Sequence, residues 1–346
     1  NILSGFQAGS NVTTGTGNIF QGNEAGEFAT TASYGIAIGY EAIGTGVMTG
    51  TDNTAIGRVA GHDLTSGAFN NFIGYFAGAN ATTATNTIAI GTTAISTGVL
   101  TGTGNTAIGR LAGNDLTSGT YNNFMGYTAG GQATTCDYNV AIGYFAMGTG
   151  VVTGSDNTAI GRLAGNDLTS GIYNNFMGYQ AGYNATTADN TIAIGRSAIG
   201  LGVLTGDSNT AIGYQAGNDL TSGTYNNFMG FRAGYNATTA DNTIAIGKSA
   251  IGLGVLTGDN NVAIGNGTGT DLTSGASNAF VGYVAGGNVT TGANNTILGT
   301  NAGISLTTGS NNTIIGHDAA STSATVSNEI TLGNASIATI RAQVTS

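Results

Sequence analysis

The sequence predicts an all-β fold, a parallel β-solenoid of about twenty coils, and three observations predict it. A glycine recurs from Gly5, Gly22 and Gly39 to Gly316 and Gly333 in steps of 17 or 18 residues, so that Gly57, Gly109, Gly161, Gly213 and Gly265 restart a 52-residue unit. An apolar residue precedes this clock glycine in every coil except the first two, which carry Ser4 and Gln21, and alanine follows three residues later except at Thr268 and Ser336. Gly-Asn-Asp, Asn-Asn and Asp-Asn strings recur between the apolar runs. A period this regular means stacked coils, each contacting mainly its neighbours.

Each element follows from one unit: NTAIGRLAGNDLTSGTYN, NFMGYTAGGQATTCDYN and VAIGYFAMGTGVVTGSDN, here the first, second and third coil types, starting at Asn105. The segment ahead of each glycine alternates small or polar with β-branched residues, as in Thr191-Ile192-Ala193-Ile194, which predicts a strand. A second strand is predicted over Leu116-Thr117-Ser118, Ala133-Thr134-Thr135 and Val151-Val152-Thr153. The Gly and Asn strings between them are turn residues that tolerate positive φ. The extra residue of the third type falls in its first turn, around Gly148-Thr149-Gly150. Helix is excluded by the glycine spacing and the lack of an i, i+3, i+4 pattern.

With coils ~4.8 Å apart, twenty of them make a rod of roughly 90 Å. The residue before the glycine reads as the one strong apolar anchor of a thin core. A single chain would then expose Phe124, Phe176 and Phe228, so several chains, three by expectation, should pack side by side. Three regions are expected: atypical coils over 1–38, the regular roll over 39–315, and a cap or junction over 316–346. That last boundary is drawn where the clock slips, with glycine at 316 instead of 317.

Composition narrows the function. The formal net charge is −10, with 7 basic residues, which argues against nucleic acid or an anionic membrane surface as partner. No segment is apolar for long enough to insert in a membrane, and no signal peptide is visible at Asn1, so the chain is exported in another way, already processed, or a fragment. Cys136 stands where Ala84, Ala188 and Ala240 stand in other units, which makes it a structural thiol.

Several rows of side chains can be weighed as sites. Asp63, Asp115, Asp167, Asp219 and Asp271 recur at one position and Asp137, Asp189 and Asp241 at another. A glycosidase needs one paired set of carboxylates, so turn capping is the better reading, and the ligand spacing of calcium loops is missing. Arg58, Arg110, Arg162, Arg196 and Lys248 follow a clock glycine directly and Arg232 one residue later; such a row is expected to pair with Asp on adjacent coils. Tyr121, Tyr173 and Tyr225, then Tyr183 and Tyr235, form rows that can stack on sugar rings or pack between chains. Thr135, Thr187 and Thr239 raise an ice-binding reading, set against it by threonines that do not look equivalent between coil types. The Asn-x-Thr strings at Asn80, Asn184, Asn236 and Asn288 are sequons that the repeat generates by itself. His62 and His317 look isolated. No phosphate loop, dinucleotide fingerprint or hydrolase elbow is present, so no cofactor, metal or catalytic residue is expected.

The Asn-x-Ala-Ile-Gly-x-x-Ala core resembles the head repeat of trimeric autotransporter adhesins over nearly the whole chain, with slightly longer coils. That resemblance implies a left-handed β-roll and a homotrimer. Asn328-Glu329-Ile330-Thr331-Leu332-Gly333-Asn334, with Ile340-Arg341 and Val344-Thr345-Ser346, resembles the stretch ahead of the endosialidase-type intramolecular chaperone of phage tail fibres. In that family the chaperone trimerises the fibre and cleaves itself off after a serine, which a chain stopping at Ser346 fits. The expectation is a non-enzymatic tail-fibre shaft in the virion. Its partners would be two further copies of itself, other tail proteins and a host surface glycan or protein receptor. The alternative is a bacterial surface adhesin head, and a glycan-cleaving spike or an ice-binding solenoid are minor ones.

Overall fold

The computed structural model describes residues 1–339, so Ile340, Arg341, Val344, Thr345 and Ser346 of the tail signal lie outside it. The chain forms two compact units, Asn1–Asp189 and Asn190–Ser346. Both are parallel β-solenoids, as the glycine period predicts. The first stacks eleven three-residue strands from Ile2–Ser4 to Asn175–Met177, and the second stacks nine from Ile192–Ile194 to Ile330–Leu332. Neighbouring strands pair in register, so Ala107 lies between Ala89 on one side and Phe124 on the other. No helix occurs among the described residues.

The clock glycine is required by backbone geometry. Gly91 has φ +130°, and a Cβ there would stand 2.7 Å from the carbonyl oxygen of Gly109 in the next coil. Only glycine tolerates both the conformation and the contact. The chain therefore turns directly after each strand, while the Gly91 N–H still donates to the Ile73 carbonyl oxygen at 2.8 Å.

The strands face the opposite way from the expectation. In every strand but the first and the last the middle residue is the buried one: Ala89, Ala107 and Phe124 lie inside, and Ile73, Met125 and Ile142 point outward at 37, 40 and 36% exposure, whereas Leu3 is exposed and Thr331 half-buried. Phe124, Phe176 and Phe228 are fully buried within their own chain, which corrects their reading as exposed. Coil packing explains why one strand in three carries Phe. The Phe124 ring lies against Gly113 and Gly130, where a Cβ would meet it at 3.0 and 2.7 Å. In the third coil type the glycine at that place gives way to Ile95 or Met147, both fully buried with φ of 44 and 47°. A left-handed conformation is costly for a branched side chain, of order 1–3 kcal/mol, and burial of the side chain, worth ~1.5–3 kcal/mol, offsets it.

The second expected strand is absent. Over Leu116-Thr117-Ser118 the coils are joined by the Thr117 N–H and Oγ1, which donate to the same Thr134 carbonyl oxygen at 2.9 and 3.0 Å. The hydroxyl doubles the backbone bond between coils there, and the segment carries no strand. Of the Asp-Asn and Asn-Asn pairs that close coils, the first member is the turn residue, Asp156 with φ 60° and Asn260 with φ 61°, and the second is not. Positive φ falls on the residue before it, Tyr121 at 56° for Asn122. Asn122 itself is buried, and its Oδ1 accepts the N–H of Asn139 at 3.0 Å while its Nδ2 donates to Asn105 Oδ1 at 3.1 Å. This asparagine ladder was not foreseen.

The extra third-type residue does sit in the first turn: Thr149 and Gly150 N–H both donate to the Asn166 carbonyl oxygen. The clock slip at Gly316 does not end the solenoid. Thr313–Ile315 pairs with Thr296–Leu298 before it and Ile330–Leu332 after it. That coil simply lacks the extra residue, and carries Gly303 where other third-type coils carry isoleucine or methionine. The asparagine ladder, already interrupted by Thr87, Thr191 and Thr243, gives way there to Glu329, whose carboxylate accepts from the Thr322 and Thr331 hydroxyls at 2.5 and 2.7 Å.

Candidate functional site

The outward strand residues make the broadest feature. Within the first unit, Ile38, Ile56, Ile73, Ile90, Ile108, Met125, Ile142, Ile160 and Met177 stand in consecutive register. The second unit repeats this with nine residues from Ile194 to Leu332. Ser4 and Gln21 occupy the same place in the first two coils, so the apolar row begins at Ile38. Parallel pairing with one residue per coil produces such a row automatically from a repeated Ile-Gly.

Beside it runs an aromatic and cationic row from the residues directly after the clock glycines. Arg58 stands over the Tyr40 and Tyr75 rings at 5.8 and 5.6 Å, and Arg162 over Tyr144 and Tyr179 at 5.7 and 5.5 Å. Arg110 stands over Tyr127, which stacks on Tyr144 at 5.2 Å. In the second unit Arg196 stands over Tyr214, which stacks on Phe231 at 5.1 Å, and Arg232 lies over Tyr235 at 5.1 Å. The expected ion-pair row is therefore corrected: these guanidinium groups meet rings. Lys248 is exposed.

The carboxylates cap. Thr45 and Thr149 Oγ1 donate to Asp63 and Asp167 at 2.9 and 2.5 Å, and Thr97 donates likewise to Asp115. Leu201 stands in the threonine's place opposite Asp219, and burial pushes that carboxyl up from its usual range. Asp137, Asp189 and Asp241 accept backbone N–H groups of Thr120, Ile172 and Thr224 at 2.6, 2.8 and 2.6 Å. They are dispersed along the coils rather than paired. Asp271 N–H donates to the Gly287 carbonyl oxygen.

Tyr121, Tyr173 and Tyr225 are exposed at 52, 53 and 61%, and Tyr121 stacks on Tyr138 at 5.3 Å. Tyr183 and Tyr235 are half-buried and lie elsewhere on the coil, so the two tyrosine rows are not one surface. The threonines align between two coil types only, with serine at the exposed place in the first type. The bonds Thr117 N–H to Thr134 O, Thr134 N–H to Val152 O and Thr153 N–H to Thr169 O bring exposed Ser118, Thr135 and Thr153 into one column, with Thr187 at the equivalent place. Thr239 is exposed at that place in the second unit.

His62 is not isolated: Nδ1 lies 2.7 Å from Asp63 Oδ1 and Nε2 3.8 Å from Glu41. His317 lies 3.0 Å from Asp318. Among the described residues no three His, Cys, Asp or Glu side chains gather as a metal site. The sequon amides Asn80, Asn236 and Asn288 donate to carbonyl oxygens of the following coil. Cys136 is buried, and desolvation pushes its thiol up to about 11. No described helix is long and apolar enough to cross a membrane.

The fold defines a β-solenoid repeat protein, with an apolar outward row and aromatic outward rows in each unit. No protein-family model matches the chain, and no curated protein is significantly similar to it.

Proposed function

We propose that the chain is a structural, non-enzymatic protein that works as a homotrimer, the shaft of a phage tail fibre that carries host-surface attachment. The outward apolar row from Ile38 carries this reading. A row of half-exposed Ile and Met is an unusual surface for an isolated chain, and two further copies covering it bury it. The polar start at Ser4 and Gln21 fits an interface that begins beyond the first coils. The virion assignment rests on Asn328–Asn334, and the surface would be extracellular with receptor glycan or protein as outer partner. The adhesin-head reading keeps support from the coil text alone, with the same trimer.

Sedimentation equilibrium tests the assembly: a trimer is expected, and Ile108→Lys with Ile142→Lys should yield a folded monomer. A wild-type chain that is monomeric and folded overturns the proposal. Neighbouring genes for tail or baseplate proteins would favour the virion reading, and a coiled coil with membrane anchor in the same frame the adhesin.

A further inference from the structure

Two first turns of the first unit leave open space between them. A notch of about 530 Å³ opens between two coils of the first unit, lined by Tyr75, Phe76, Asn80, Thr93, Ser96 and Thr97. Two positions, the fifth after a second-type glycine and the second after a third-type glycine, hold one ring in three units, Gly131 with Phe145, Tyr183 with Ser197 and Tyr235 with Ser249, and no ring in the pairs Glu27 with Glu41 and Gly287 with Asn301. Here both are small, Ala79 with Thr93, and space remains.

The chemistry of the lining selects a ligand. Tyr75 and Phe76 present two rings in an edge-on pair with centroids 4.5 Å apart, and Tyr75 is exposed. The hydroxyl protons are committed to the protein: Thr93 Oγ1 donates to Thr92 O at 2.7 Å, Ser96 Oγ to Asn114 Oδ1 at 2.9 Å, and Thr97 to Asn114 O at 3.0 Å and to Asp115. Asn80 Nδ2 donates to Thr97 O at 3.2 Å, which leaves its Oδ1 without a protein donor. The remaining capacity is acceptor capacity beside aromatic rings, together with the exposed Tyr75 hydroxyl, which both donates and accepts. A complementary molecule brings several hydroxyl groups on one edge and C–H groups on one face, and shares the Tyr75 ring with Arg58, whose guanidinium carbon lies 5.6 Å from its centroid. A pyranose has that make-up.

We infer that this notch is a binding subsite for a neutral sugar ring, stacked on Tyr75 and Phe76 and donating hydroxyls to Asn80, Thr93 and Ser96. The inference rests on the attachment reading for its biological use but not for its geometry, which needs one chain only.

The test is saturation-transfer NMR of the full chain with methyl glucopyranoside, methyl galactopyranoside, methyl mannopyranoside and N-acetylglucosamine, with glucuronate as the charged control. Saturable binding of at least one neutral probe is expected, with a Kd on the order of 1 mM for a single ring. Ala79→Tyr and Thr93→Phe install residues the repeat already uses at these places, so both should keep the fold and weaken binding at least tenfold. Tyr75→Ala should do the same. Absence of saturable binding to every neutral probe overturns the inference, as does binding unchanged in both filled variants. Sedimentation of the same samples separates the two proposals: a trimer without binding sinks only the subsite, and binding by a monomer sinks only the trimer.

Discussion

Asn122 holds Cys136 from inside the coil: its Nδ2 donates to the Cys136 carbonyl oxygen at 2.7 Å, and the Cys136 thiol lies 3.8 Å from its Oδ1. One side chain thus closes its own coil and, through Asn105 and Asn139, ties in the coils on either side. Asn122→Ala leaves the Asn139 N–H and the Cys136 carbonyl oxygen buried without partners. At about 1–3 kcal/mol for each orphaned group, the expected loss is roughly 3 kcal/mol or more in urea unfolding. A loss under ~1 kcal/mol would show that the ladder is incidental.

Cys136 should be inert in the native state and visible in the pH dependence of stability. Its folded pKa is raised to about 11 from 9.0 by burial. Below about pH 9 both states keep the proton. Between 9 and 11 the unfolded chain releases it and the native chain retains it, so the unfolded state binds fewer protons and stability falls as pH rises. The slope from this group is at most ~1.4 kcal/mol per pH unit. Cys136→Ala, the residue at Ala84, Ala188 and Ala240, should abolish that increment and cost little at pH 7. Comparing wild-type and variant unfolding at pH 7, 9 and 10 checks it, together with thiol labelling that occurs only on unfolding.

Gly91→Ala should be severe. The substitution puts a Cβ at φ +130°, within 2.7 Å of the Gly109 carbonyl oxygen. Conformational strain of ~1–3 kcal/mol adds to the steric cost, so about 3 kcal/mol or more is expected from thermal unfolding. Thr92→Ala beside it is exposed and should stay within about 0.5 kcal/mol.

Phe124→Ala tests the corrected core. If Phe124 packed only against other chains, its loss would alter assembly and leave a monomer's stability alone. Its ring instead fills the space over Gly113 and Gly130 within one chain. A loss of about 3–5 kcal/mol is expected, measured in the Ile108→Lys, Ile142→Lys background so that the proposed assembly does not contribute.

Stacking and coil length were legible because a glycine that admits no Cβ leaves a trace at every turn. Which strand face is inward was not. Thr106-Ala107-Ile108 alternates, and period two separates two faces without naming the inner one. The answer depends on cross-section: the interior admits Ala in two coils and Phe124 in the third, and no row of isoleucines fits beside them. The ladder at Asn122 was hidden because asparagine is also the commonest turn residue. The notch beside Thr93 is not legible for a different reason: each residue is ordinary, and small pairs recur at Gly287 with Asn301, so no repeat position marks it. The aromatic partners of Arg110 went unread because tyrosines were compared across 52-residue units, while the ring contact spans one coil.

The identity of Arg110's partner gives the last prediction. An ion-pair row would couple Arg110 to Asp115 and weaken with added salt. The geometry couples it to Tyr127, whose ring centroid lies 5.5 Å from the guanidinium carbon. A double-mutant cycle of Arg110→Ala with Tyr127→Ala should give a coupling of about 0.5–1 kcal/mol. The cycle of Arg110→Ala with Asp115→Asn should give a coupling near zero at low salt, where a charge pair would be strongest. A larger coupling to Asp115 than to Tyr127 would restore the ion-pair reading. It would also remove the guanidinium from the aromatic row beside the strands, leaving that row as stacked tyrosines alone.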